Sequence, residues 1–181
     1  MIYNDNNNAS VEKSVYSPDL KSGVARHGGS TPPTRTKILN IMIIPKVVHI
    51  AWPDKEVIHN QSPIILNGLR NLIDLNPAWN VIIYDDNEID TYLKNNLDIS
   101  DYELIKDKHI VEKSDLWRLI KLYYDGGLYV DIDRFCNVKL SDIIDEDTRC
   151  VLPICVDWDF SQDFMLTIPN NPIMSRTIEM M

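Results

Sequence analysis

Two aspartates separated by one residue, Asp131 and Asp133, directly follow the apolar segment Leu128-Tyr129-Val130. Because residues two apart on a strand point to the same side, the two carboxylates are expected to converge. Converging negative charges are costly without a cation between them, and carboxylate oxygens suit Mg²⁺ or Mn²⁺, which such sites share with substrate phosphates. The pair is therefore a candidate metal site at the end of a strand, where ligands of open α/β sheets gather. A solvated turn in an acidic chain is the alternative interpretation.

A second candidate pair, Asp115 and Arg118, lies in a helix predicted over residues 112–124, which Gly126-Gly127 ends. The three-residue spacing places both side chains on one helix face, away from the apolar one. A guanidinium donates to ligand oxygens and a carboxylate accepts from sugar hydroxyls. The pair is thus either a clamp for a polar ligand or a surface ion pair of little energetic value.

Strands alternate with helices along the chain from residue 43 onward. We predict strands over residues 46–51, 81–84, 128–131, 149–156 and 164–168, and helices over 63–75, 88–94, 112–124 and from 172. This alternation predicts an α/β fold with a mainly parallel sheet. Residues 1–41, rich in Asn, Ser, Gly and Pro, are expected to be a disordered or non-native extension before a start at Met42. Residues 42–181 then form the one domain.

Composition excludes some classes of function. A net charge of −9 argues against a protein that binds nucleic acid mainly through phosphate contacts. The three cysteines are odd in number and have no CxxC spacing, which argues against a disulfide framework or a zinc site. Neither a secretory signal nor an apolar run long enough to span a bilayer is found, which favours a cytoplasmic protein.

Four segments together resemble a known family. Residues 113–118 (KSDLWR) and 123–133 (YYDGGLYVDID) resemble the core of the DxD-containing family 32 glycosyltransferases. Residues 44–52 (IPKVVHIAW) and 76–79 (NPAW) are similar to two weaker blocks of that family, in the same order. The group includes the yeast initiating α-1,6-mannosyltransferase, capsular polysaccharide enzymes and, distantly, the large clostridial glucosylating toxins.

The resemblance implies a GT-A fold and an enzyme that moves a hexosyl group from a UDP- or GDP-sugar to an acceptor hydroxyl. The acceptor would be a glycan or a protein- or lipid-linked group, and the configuration would be retained. It also implies a Mn²⁺ or Mg²⁺ ion held by Asp133, with Asp131 contacting the ribose and reaching the ion directly or through water. Asp115 and Arg118 would hold the donor sugar, with Arg118 near the phosphates, and Trp52 would stack on the base. These five residues are the expected site.

Two other functions remain open from the sequence. The chain ends soon after Asn171-Pro172, where relatives continue, so part of the acceptor region is expected to be lacking. The protein would then be a nucleotide-sugar-binding protein or an enzyme without efficient transfer. Aspartate-based phosphatases also place D-x-D after a buried strand, but Arg134-Phe135 follows here, where they need a small residue. A bacterial or viral source is expected.

Overall fold

A five-stranded sheet forms the centre of the protein. The computed structural model describes residues 43–53, 55, 62–154 and 159–181. Its strands are β1 (Val47–Ala51), β2 (Asn80–Tyr84), β3 (Gly127–Val130), β4 (Cys150–Val151) and β5 (Phe164–Thr167). They lie in the order β2-β1-β3-β5-β4, with β1 parallel to both neighbours and β5 antiparallel to β3 and β4. The predicted α/β fold is confirmed, and the sheet is parallel in its first three strands and mixed as a whole.

Helices cover both faces of this sheet. They are α1 (Pro63–Leu75), α2 (Asp86–Asn96), α3 (Ile99–Ile105), α4 (Ile110–Asp125) and α5 (Pro172–Ile178). On one face, Leu72 of α1 packs in a cluster with Val48 and Ile50 of β1. Buried side chains of α2, α4 and α5 form a second cluster that includes Tyr129. Layers of helix, sheet and helix bury both faces of the strands, which explains their continuous apolar sequences.

The central strand β3 distributes its side chains between these two layers. Leu128 and Val130 belong to the cluster on the α1 side, whereas Tyr129 belongs to the cluster on the α4 side. This is the two-residue alternation of a strand. It directs Tyr129 towards the helix that carries Asp115 and Arg118.

The turn between α4 and β3 requires its two glycines. Gly126 has φ +65° and Gly127 has φ +92°, both in the region that side chains disfavour. A Cβ atom on Gly127 would also lie 2.6 Å from the backbone oxygen of Val47. The predicted helix stop is confirmed, and this turn places the end of α4 directly against β1.

Three elements differ from their predictions. The strand β3 ends at Val130, so Asp131 lies just beyond it. The strand predicted over residues 149–156 is only Cys150–Val151, followed by an isolated bridge between Ile154 and Phe160; residues 155–158 lie outside the described residues. Helix α3 was not predicted, because its seven residues ISDYELI are too few for a sustained apolar period.

The extension predicted over residues 1–41 and the start at Met42 lie outside the described residues and stay predictions. Within the described part of the chain, no helix combines the length and the apolar character that crossing a bilayer requires.

Candidate active site

All five residues expected from the sequence line one cleft of about 410 Å³. They come from the end of β1 (Trp52), from α4 (Asp115 and Arg118) and from the segment after β3 (Asp131 and Asp133). The cleft therefore lies at the carboxyl ends of β1 and β3. The chain passes from β1 to β2 on one side and later returns as β3 on the other side, so this is also where the strand order switches. Ligands of open α/β sheets bind at such switch points.

Arg118 lies at the centre of the charged groups in this cleft. Its Nη2 donates to a carboxylate oxygen of Asp115, and its Nη1 lies 3.8 Å from Oδ1 of Asp131. Nη1 also donates to the backbone oxygen of Gln162 at 3.3 Å, and the guanidinium lies 5.3 Å from the ring centre of Tyr129. The side chain is 12% exposed. This is more buried than the surface ion pair that was one interpretation of the sequence.

The guanidinium still has donor capacity that the protein does not use. Arginine carries five N–H donors, and the buried Nε of Arg118 has no hydrogen-bond partner within the described part of the chain. Buried donors are nearly always paired in native proteins, and a lone one calls for an explanation such as a ligand or a water molecule. A ligand oxygen bound beside Arg118 would supply such a partner.

Asp131 is held in place by its neighbours. Its Oδ1 accepts from the hydroxyl of Tyr129 at 2.7 Å, and its backbone nitrogen donates to the oxygen of Asp163 at 2.9 Å. Burial, followed by the hydrogen bond to Asp131, raises the pKa of Tyr129. The phenol therefore stays protonated and donates to the carboxylate, which keeps Asp131 oriented near Arg118.

Asp133 occupies a turn, and not the strand from which its direction was predicted. The backbone nitrogen of Arg134 donates to the oxygen of Asp131 at 3.0 Å, which closes the turn. Strand alternation therefore does not place Asp131 and Asp133 on one side, although both still line the cleft. Asp133 is exposed and has no hydrogen-bond or ion-pair partner among the residues that the structure describes.

The carboxylates fit a metal shared with a substrate. Within the described ranges, no group of three or more His, Cys, Asp or Glu side chains is arranged to hold an ion. Both oxygens of Asp133 are without a partner among the described residues, and Asp131 has one oxygen outside its bond with Tyr129. Mg²⁺ and Mn²⁺ accept such a site, with one or two carboxylates from the protein and further oxygens from phosphates and water. The residues present therefore fit the expected ion.

Trp52 forms a wall of the cleft next to α2. Its backbone nitrogen donates to the oxygen of Tyr84 at 2.9 Å, which extends the β1–β2 pairing by one residue. The indole is partly buried against the α1-side cluster and remains accessible at the cleft. A flat apolar wall of this kind suits the base of a nucleotide.

Tyr129 and Asp86 are polar cleft residues that were not expected from the sequence. Tyr129 could have been found, because it is two residues before Asp131 and strand alternation puts both on one side. Asp86, the first residue of α2, follows the helix cap Asp85. From the sequence alone, its carboxylate is explained by the favourable position of a negative charge in the first turn of a helix. Conversely, Lys113 of the KSD segment does not line the cleft, because its Nζ lies 2.6 Å from Oδ1 of Asp90 on α2.

Comparisons with known proteins show what the chain is similar to. The family described as "Glycosyltransferase sugar-binding region containing DXD motif" matches residues 65–150. Inositol phosphoceramide mannosyltransferase 1 of Schizosaccharomyces pombe is 25% identical over 135 residues, which are 75% of this chain and 42% of that protein. A mannosyl phosphorylinositol ceramide synthase of Saccharomyces cerevisiae is 24% identical over 142 residues, 76% of this chain and 35% of that protein. An uncharacterized glycosyltransferase of Acanthamoeba polyphaga mimivirus is 29% identical over 104 residues, 56% of this chain and 40% of that protein.

A solved glycosyltransferase, PaToxG, has the same fold, with a TM-score of 0.50 at 20% identity over 75% of this chain and 58% of that one. The chain spans about two fifths of the length of the curated relatives that it matches. The matched residues contain α4, β3 and the DxD pair, and Trp52 lies before them. Residues 65–150 of this chain are therefore similar to the sugar-binding region of the DXD-containing glycosyltransferases, and the fold is that of a solved glycosyltransferase, consistent with GT-A.

Proposed function

We propose that the protein is a glycosyltransferase whose cleft binds a nucleotide-diphosphate sugar and a divalent metal ion, and which transfers the hexosyl group to an acceptor hydroxyl. The observation that supports this most is that Trp52, Asp115, Arg118, Asp131 and Asp133 line one cleft, although they come from three elements. The relatives are named as mannosyltransferases, so mannose is the first sugar to test.

Each residue has a role that its contacts support. Asp115 accepts from hydroxyls of the donor sugar, and Arg118 donates its remaining N–H groups to sugar and phosphate oxygens. Asp133, with Asp131, would hold the divalent ion, and Tyr129 keeps Asp131 oriented. A bound ion supplies positive charge beside the leaving diphosphate. Arg118, in its mostly buried position, adds a preoriented positive charge at the same place.

The acceptor and the stereochemical outcome rest on the resemblance alone. We propose a hydroxyl of a glycan or of a lipid- or protein-linked acceptor, and retention of configuration. The proposed cytoplasmic location and the bacterial or viral source follow from the sequence expectations above.

The proposed function is tested by donor hydrolysis. Purified protein is incubated with UDP- and GDP-linked hexoses, with Mn²⁺ or with a chelator, and released nucleotide is measured. The proposal expects release from at least one donor only with the metal, and none from the Asp133→Ala variant. Nucleotide binding without release would instead support a binding protein or a transferase that lacks efficient turnover. Release of phosphate from simple phosphomonoesters would favour the phosphatase alternative.

A further inference from the structure

Asp86 is a cleft carboxylate for which the fold has no evident use. The neighbouring Asp85 caps α2: its Oδ1 accepts from the nitrogen of Glu88 at 2.9 Å, and Glu88 returns a hydrogen bond to the nitrogen of Asp85 at 3.0 Å. This reciprocal pair completes the capping box. Asp86 has no hydrogen-bond or ion-pair partner in the described ranges, yet it lines the cleft. Its oxygens are available to a ligand.

Asp86 lies at the end of the cleft that is away from Asp131 and Asp133, the proposed metal ligands. Arg118 lies eight residues along α4 from Ile110, or about 12 Å at the rise of an α-helix. Ile89, Ile110 and Val111 give that far end apolar walls. Asp86 lines the cleft together with Ile110 and Val111 of the first turn of α4. Burial, followed by the nearby Asp85, raises the pKa of Asp86, against an opposing contribution from His109.

A nucleotide bound with its diphosphate at Arg118 would extend its base towards this apolar end. Trp52 lines the same cleft, with its indole partly buried against the α1-side cluster. The base would therefore meet an aromatic wall, aliphatic side chains and one carboxylate. A partly desolvated carboxylate accepts N–H donors strongly and repels carbonyl oxygens.

The four common bases differ in what they present to such a group. Guanine carries two adjacent N–H donors, at N1 and at the 2-amino group, which match the two oxygens of a carboxylate. Uracil places its single N–H between two carbonyl oxygens, and cytosine and adenine each place an amino group next to an acceptor nitrogen. A bidentate contact of this kind gives roughly 1–3 kcal/mol of discrimination, or about five- to a hundredfold in affinity.

We propose that Asp86 accepts hydrogen bonds from N1 and the 2-amino group of guanine, so that the donor is a guanosine-diphosphate sugar. This inference rests on the proposed function for the place of the diphosphate. It assigns the base preference to one residue that is separate from the proposed sugar and metal ligands.

The test compares nucleoside diphosphates whose bases match either the wild-type Asp86 or the asparagine of Asp86→Asn. Binding of GDP, UDP, inosine diphosphate and xanthosine diphosphate, each with Mn²⁺, is measured by calorimetry for the wild-type chain and for Asp86→Asn. We expect the wild type to bind GDP about tenfold or more tightly than UDP, with inosine diphosphate intermediate because it lacks the 2-amino group. In Asp86→Asn the amide can donate to the 2-oxygen of xanthine, so the preference should move from GDP to xanthosine diphosphate.

A matched control is Asp74→Asn, which changes an exposed aspartate of α1 outside the cleft and should keep the wild-type order. The inference is overturned if the wild type binds UDP as tightly as GDP, or if Asp86→Asn keeps the preference for GDP. Absence of binding by every diphosphate would overturn the proposed function together with it. Selective binding of GDP without donor turnover would support the role of Asp86 and count against the transferase.

Discussion

Helix α4 carries two nearly buried cations whose surroundings differ. Arg118 and Lys121 have side chains that are 12% and 9% exposed, and each pairs with an aspartate on the same helix, Asp115 and Asp125 respectively. The ammonium of Lys121 also lies 4.4 Å and 5.0 Å from the ring centres of Tyr92 and Tyr84. From the sequence alone, each cation would be interpreted as a member of an ion pair within the helix.

The two cations differ in the hydrogen-bond donors that they can still offer to a ligand. Lys121 is surrounded by an aspartate and two aromatic faces, which satisfy a compact ammonium group. Arg118 lines the cleft at the carboxyl end of β3, beside Asp131, with its Nε unpaired among the described residues. We therefore assign Lys121 to stability and Arg118 to ligand binding.

The largest effect is expected from Arg118→Lys, which keeps the charge but removes the planar, multidentate donor group. Because Arg118 would contact sugar and phosphate oxygens, donor hydrolysis should fall by on the order of 10²–10³-fold. The urea midpoint of unfolding should change little. Arg176→Lys, at an exposed ion pair on α5, is the matched control and should leave hydrolysis unchanged. Equal activity of the two variants would remove Arg118 from the proposed site.

The next effect concerns His49, a buried histidine close to the Lys121 side of the sheet. Its Nε2 donates to the oxygen of Gly126 at 3.0 Å, and its Nδ1 accepts from the hydroxyl of Tyr84 at 3.2 Å. Burial lowers the pKa of His49 to about 4, against an opposing contribution from the Gly126 hydrogen bond. The unfolded chain, with a pKa near 6.5, therefore binds more protons between these two values.

The contribution of His49 to stability should be complete above pH 6.5 and should be lost as the pH falls towards 4. Its size is about 3 kcal/mol. The free energy of unfolding is measured against pH for the wild type and for His49→Gln, which removes the titrating group. The difference between the two curves should change across this window. Parallel curves would show that protonation of His49 does not oppose folding.

The smallest effect is expected from Lys121→Met, which keeps the length of the side chain and removes its charge. Loss of the aromatic contacts and of the pair with Asp125 should lower the free energy of unfolding by about 1–2 kcal/mol. Donor hydrolysis at a temperature where both proteins are folded should stay at the wild-type rate. Lys106→Met, at an exposed ion pair on α3, should change neither property. A loss of hydrolysis without a loss of stability would reverse the assignment of Lys121.

The comparison of Arg118 with Lys121 also shows which features could be predicted from the sequence. Trp52 was expected only from the family resemblance, whereas the glycine turn and the bounds of α1 follow from local patterns: a positive-φ stop and a Ser62 cap before Pro63. These depend on a few neighbouring residues, so the sequence specifies them. The two candidate pairs could be named for the same reason.

What the sequence did not specify depends on partners that are distant in the chain. The antiparallel placement of β5 is set by its pairing with β3, and nothing in FMLT distinguishes it from a parallel strand. The short helix α3 depends on tertiary contacts: Tyr102 and Ile105 pack against the α4-side cluster, and the hydroxyl of Tyr102 donates to Asp90 at 2.8 Å. Lys113 was read as part of the sugar motif, and only the packing of α2 on α4 shows its pair with Asp90.

The central claim is that the cleft holds a nucleotide together with a divalent ion, through Asp133. It is tested most directly by calorimetric titration of a nucleoside diphosphate into the wild type and into Asp133→Ala, each with and without Mn²⁺. We expect Mn²⁺ to tighten binding by the wild type by about tenfold or more, and to have no effect on the affinity of Asp133→Ala. Equal affinity of the wild type with and without Mn²⁺, or a metal effect that survives in Asp133→Ala, would contradict it.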